Sequence, residues 1–127
     1  MQKKIEIIVE KTRTGYSAFA KKDAVYTTGQ TLDELKKNIL EAVNFSKNKR
    51  GKPLTEKNIK ITLDIAQFFE FYKVINTKAF SERIGMNQSL LAQYINGIKK
   101  PSVQQTYRII QGIKQVGNEL SALQFIS

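Results

Sequence analysis

Residues 76–102 read NTKAFSERIGMNQSLLAQYINGIKKPS, and the breaks in this stretch say more than its apolar content. Asn76 is a residue type that caps helices, and the spacing after it predicts a helix in which Phe80 and Ile84, and less strongly Ala79 and Ser81, face inward. Gly85 supplies the positive φ needed for a tight exit turn. Asn87 then caps a second short helix over 88–96. In that helix Leu91, Tyr94 and Ile95 are spaced to pack inward, which leaves Gln88, Ser89, Leu90, Ala92 and Gln93 on or near the outer side. Gly97 ends it, and Pro101 keeps the loop over 98–100 from continuing as helix. Ser102 with Gln105 opens a longer helix that carries Val103, Thr106, Ile109, Ile110 and Ile113 at core spacing.

Two short helices joined by a three-residue glycine turn, with a small residue at Ser81 in the first, meet the steric needs of a helix-turn-helix. With Gly85, Leu91, Asn96-Gly97 and Lys100-Pro101-Ser102 in place, the segment resembles the phage-repressor type, the Xre or Cro/CI family, over roughly residues 65–115. That family usually has alanine where Ser81 stands. The resemblance implies that the helix over 88–96 enters the major groove with its amino-terminal residues toward base edges, and that Gln88, Ser89 and Gln93 read them. The side chains suit base reading, since glutamine can bond adenine N6 and N7 in bidentate fashion, serine serves donor or acceptor edges, and an exposed Leu90 could touch a thymine methyl. Asn76 and Asn87, at helix starts where backbone N–H groups point outward, suit phosphate, as do Lys78, Lys99 and Lys100. The same residues also fit an ordinary solvated helical surface.

Toward the amino terminus the period changes from helical to alternating. Ile5, Ile7 and Val9 alternate with Glu6 and Glu10, which predicts a strand with one buried face and Ile8 as the exception. A break over 12–15 leads to a second strand in which Tyr16, Ala18 and Ala20 share a face. A turn over 21–23 leads to a short third strand over 24–27. At Thr31 the helical period returns through Leu32, Leu35, Ile39, Ala42 and Val43, and Thr31 with Glu34 forms a capping box. The polar, basic stretch 46–58 reads as a long loop, after which Ile59, Ile61 and Leu63 alternate as a fourth strand. Asp64 with Gln67 offers another cap, opening a helix with Ile65, Phe68, Phe69 and Tyr72 along one side. The expected fold is therefore α+β over residues 1–64, followed by an all-helical domain over 65–127.

Within the first domain, the stretch GYSAFAKKDAVYTTGQTLDELKKNILEAVNF (15–45) contains a Gly-x-Thr-hydrophobic-acid-Glu helix opening at Gly29, Gln30, Thr31, Leu32, Asp33 and Glu34. With its β-β-β-α-β order and a helix-turn-helix behind it, the chain resembles the HicB antitoxins. The resemblance implies a partial RNase H-like layer without catalytic activity that binds and neutralises a HicA-type ribonuclease, and a DNA-binding domain that represses its own operon. The toxin-facing surface would lie on the sheet and the loops around residues 12–30. The alternative is a stand-alone helix-turn-helix regulator whose first domain binds another protein or a small ligand. HicA-type toxins are usually basic, so seating one on this chain needs acidic residues gathered on one face.

Composition narrows the chemistry. The 127 residues carry 21 Lys and Arg against 11 Asp and Glu, a formal charge of +10, which points to a polyanionic partner and to nucleic acid ahead of a membrane surface. Cysteine and histidine are absent. That removes disulfides, thiolate and imidazole metal ligation, and nucleophilic catalysis that relies on either residue. A metal-dependent nuclease would need clustered carboxylates, and the sheet offers only Glu6, Glu10, Asp23 and Asp64. No catalytic residue, metal or cofactor is expected. The longest apolar runs are a few residues, and no apolar stretch follows the amino-terminal lysines, so a cytoplasmic protein without membrane contact is expected.

The carboxy-terminal stretch 118–127 carries Leu120, Leu123, Phe125 and Ile126 with little charge. These residues either pack on their own domain or form a two-fold interface. A single helix-turn-helix reads few base pairs, so half-sites about one turn apart favour a homodimer or higher even oligomer.

Overall fold

Alternation along β1 (Ile5–Lys11) buries Ile7 and Val9 on one face, while Ile8 lies half-buried on the other. The structure is a computed structural model and describes residues 4–47 and 53–124. Register carries the pattern of β1 across the sheet. β2 (Tyr16–Ala20) runs antiparallel to β1, setting Ala20 opposite Ile7 and Ala18 opposite Val9. β3 (Tyr26–Gly29) runs antiparallel to β2, and β4 (Ile59–Leu63) runs parallel to β1, pairing Ile59 with Ile5. The strand order is β3-β2-β1-β4. The fold is α+β, with a mixed four-stranded sheet.

Helix α1 (Leu32–Lys47) lies between β3 and β4 in the chain. It buries Leu35, Ile39 and Val43, at i, i+4 and i+8, into one cluster with Ile7, Val9, Ala18, Ala20, Val25 and Ile59. Burying each large aliphatic side chain contributes about 1.5–3 kcal/mol, so this stripe is the main adhesive between helix and sheet. Thr31 caps the helix, with its Oγ1 accepting from the Glu34 N–H at 3.1 Å.

Three local expectations are corrected. The third strand is Tyr26–Gly29, not 24–27, because its pairing with Phe19 at one end and Tyr16 at the other sets its limits and Val25 belongs to the preceding turn, where its N–H donates to Asp23 O. The expected long loop contains order: Thr55 and Asn58 form a capping box around a single 3-10 turn, Glu56–Asn58, and α1 extends to Lys47. Asp64 does cap α2 (Ile65–Phe71), accepting from the Gln67 N–H at 3.0 Å. The Gln67 amide, however, bridges the Lys11 backbone, accepting from its N–H and donating to its carbonyl, each at 2.8 Å.

That bridge bears on where the chain divides. The two compact units are Met1–Phe71 and Tyr72–Ser127, so α2 belongs with the sheet, whereas the sequence places the boundary between 64 and 65. Apolar periodicity identifies α2 as a helix; it does not say which unit holds it. The second unit comprises α3 (Thr77–Ile84), α4 (Gln88–Ile95) and α5 (Val103–Ser121).

Candidate nucleic-acid interface

Asn76 begins the site. Its Oδ1 accepts from the Ala79 N–H at 3.0 Å, which satisfies a donor at the start of α3 that has no partner within the helix. Phe80 and Ser81 are buried, Ile84 is half-buried and Ala79 is exposed, so the inward face is narrower than expected. Ser81 is reconciled with its burial by donating to Lys78 O at 2.6 Å.

At Gly85 the backbone enters the left-handed region, φ 67° and ψ 31°, and its N–H closes α3 on Ser81 and Glu82 carbonyls. An L-residue with a Cβ is disfavoured there by roughly 1–2 kcal/mol. Met86 and Leu91 flank the Asn87 cap as a hydrophobic staple, and both are buried. Helical periodicity alone passes over Met86; its position one residue before the cap is the signal that marks it.

Asn87 Oδ1 accepts from the Leu90 N–H at 3.2 Å and starts α4. Leu91 and Tyr94 face inward, and Ile95 is half-buried. Gln88, Ser89, Ala92 and Gln93 are exposed, so the three polar residues assigned to base reading share the open side of one short helix. Leu90 is half-buried, so less of it is open for the methyl contact expected of it. Gly97 turns the chain at φ 73°, and the Gln93 carbonyl accepts from the Ile98 and Lys99 N–H groups. Lys78, Lys99 and Lys100 are exposed. In both caps the amide oxygen is committed, so Nδ2 is the part of Asn76 and Asn87 that suits a phosphate.

Helix α5 backs this pair. Ser102 caps it through the Gln105 N–H, and its buried side centres on Ile109 and Gly112. Val103 is 74% exposed, since the buried stripe runs through Ile109 and Gly112 and leaves the first residue of the helix outside it. A Cβ on Gly112 would overlap Ile84 Cγ2 and come within 3.1 Å of Phe80 Cζ; the missing side chain is what lets α5 approach α3. Arg108 donates to the Gly85 carbonyl at 3.0 Å and so ties α5 to the turn between the short helices. Arg83 and Glu119 form a bidentate pair at 2.6 and 3.1 Å. Chiefly through that hydrogen bonding, Glu119 holds Arg83 above its usual value, and Arg83 holds Glu119 below the usual carboxylate range. None of these three contacts is visible in sequence, because the partners lie more than twenty residues apart in the chain.

Lys73, Lys78, Arg83, Lys99, Lys100, Arg108 and Lys114 face only Glu82 and Glu119 as acidic residues in this unit. The expected dimer residues are divided. Leu120 lies in the last turn of α5 and Leu123 just beyond it, 62% and 76% exposed, while Phe125 and Ile126 lie outside the described residues. The helix ends at Ser121, so Leu123 follows it outside regular structure.

Two of the four carboxylates raised for a metal-dependent nuclease are used otherwise: Glu6 pairs loosely with Lys21 at 4.0 Å, and Asp64 caps α2. Among the described residues no three His, Cys, Asp or Glu side chains are grouped to hold a metal ion. Among them, too, no helix is long and apolar enough to cross a membrane. Comparison of the chain with family models, curated proteins and solved structures finds no match.

Proposed function

We propose that this chain is a HicB-like antitoxin that binds operator DNA through α3 and α4 and neutralises a HicA-type ribonuclease through its first unit. The observation that carries the DNA-binding part is the split of α4: Leu91 and Tyr94 are buried, and Gln88, Ser89 and Gln93 are exposed behind an Asn87 cap and a left-handed Gly85. A helix held this way can lower its amino-terminal end into a major groove, where glutamine and serine meet donor and acceptor edges. The basic surplus of this unit supplies the phosphate attraction that such docking requires.

The β-β-β-α-β order of the first unit, with β4 returning parallel to β1, supports the HicB resemblance over the remaining chain. The exposed Leu120 and Leu123 support a homodimer, which would present two copies of α4 to half-sites about one helical turn apart.

The test is binding of the full chain to the DNA upstream of its own gene, by fluorescence anisotropy against a scrambled duplex at fixed salt. Preference for its own upstream DNA that falls on Gln88→Ala or Gln93→Ala supports the reading. Equal affinity for both duplexes overturns it.

A further inference from the structure

Alongside β3, at the edge of the sheet, α1 leaves a groove of about 470 Å³ lined by Val25, Tyr26, Asn38, Glu41, Ala42 and Phe45. Phe45 is 95% exposed and Tyr26 68%, so two aromatic side chains border the groove without being covered by it. Asn38 fixes the orientation of the helix here by donating to Thr28 O at 2.7 Å. Glu34, Asn38, Glu41 and Phe45 follow at helical spacing, so both exposed carboxylates fall on the stripe that carries Phe45. Lys37, also exposed, lies on the same helix outside that stripe.

We infer that this groove is the docking site for a basic protein, which inserts side chains around Phe45 and sets its cations against Glu34 and Glu41. The inference rests on the antitoxin reading and supplies the surface that reading lacks. Charge selects the occupant. Nucleic acid would meet two carboxylates at this face, and a second copy seated here would set Glu34 and Glu41 against themselves across a two-fold axis. A cationic ribonuclease meets neither of these local penalties, and Glu34 and Glu41 give it a local attraction against the +10 of the chain as a whole. An exposed aromatic is also the usual form of a binding anchor, because it covers much area at little cost in side-chain freedom.

The probe is an inactivated form of a small basic ribonuclease, sought in the gene beside that of this chain and titrated against the full chain by calorimetry at low and high salt. Phe45→Ala is expected to weaken binding about thirtyfold or more, as for an interface anchor. Glu34→Lys with Glu41→Lys is expected to weaken it about tenfold at low salt, and less at high salt. All three positions are exposed, so circular dichroism should be unchanged, and Tyr107→Ala, an exposed aromatic of the second unit, should bind as the parent does. If no such ribonuclease is encoded there, or the parent chain fails to bind it, the antitoxin reading falls and the docking site with it. Tight parent binding that ignores all these substitutions overturns the groove alone. Loss of self-association on Phe45→Ala would make a second copy the occupant and also overturn the inference.

Discussion

Gln88 and Gln93 are exposed side chains on a helix whose opposite face is buried, so their removal should leave the fold intact and change what the helix reads. Each substitution to alanine is expected to weaken upstream-DNA binding by about 1–3 kcal/mol and to relax sequence choice, the cost of a lost bidentate base contact. Lys99→Ala should behave differently. It should weaken binding to all sequences alike and make the log–log salt slope shallower by about one, because a phosphate contact carries no sequence information. Parallel salt titrations on specific and scrambled duplexes separate the two behaviours. Glu119 allows a pH test. Its value is depressed in the fold, so its pairing with Arg83 supports the fold above the ordinary carboxylate value and is lost as pH falls through the depressed one. A carboxyl titration followed by NMR should show Glu119 returning to the usual range in Arg83→Ala. Both side chains are solvent-exposed, so the change in stability should be small.

At the scale of elements, α4 packs on α3, and α5 holds α3 and the turn that leads into α4. Gly112→Ala should destabilise the second unit by about 1–3 kcal/mol, the usual cost of overpacking, since the new methyl must displace Ile84 and Phe80. Thermal melts measure that cost. The same variant should lose upstream-DNA affinity at temperatures where it stays folded, because α3 cannot keep its place against α5. The end of α5 makes a further point about seams. Ile109, Ile113, Val116, Leu120 and Leu123 recur at alternating spacings of four and three, yet Ile109 is buried and Leu120 and Leu123 are exposed. The uncovered end of that seam, Leu120 in the last turn and Leu123 just past it, is the surface on which the proposed homodimer rests.

For the whole molecule, that seam and the placement of α2 each lead to an experiment. Leu120→Lys with Leu123→Lys should convert a dimer to a monomer in sedimentation velocity and weaken binding to the upstream DNA; an unchanged sedimentation profile would remove this seam as the interface. A fragment over residues 1–71 should melt cooperatively, whereas one over 1–64 should melt at lower temperature or not fold, because it lacks the Gln67 bridge to Lys11. The sequence reads the first unit well where pattern and partner coincide. The β1 alternation, the Thr31 cap and the α1 stripe survive into the structure because each depends on neighbours in the chain. It reads poorly where a distant partner decides, as at the limits of β3 and at Gln67, whose amide serves β1 instead of its own cap.

The same division holds for the candidate interface. Caps at Asn76, Asn87 and Ser102, the turn at Gly85 and the exposure of Gln88, Ser89 and Gln93 follow from local geometry: helical period and backbone sterics operate over a few residues, so the chain alone determines them. The Arg108 contact with Gly85, the fit of Gly112 against Ile84, the Arg83–Glu119 pair and the meeting of Tyr26 and Phe45 at one groove were decided by tertiary structure. Each joins residues that are far apart in the chain, and no local preference of either partner carries information about which surface it will meet.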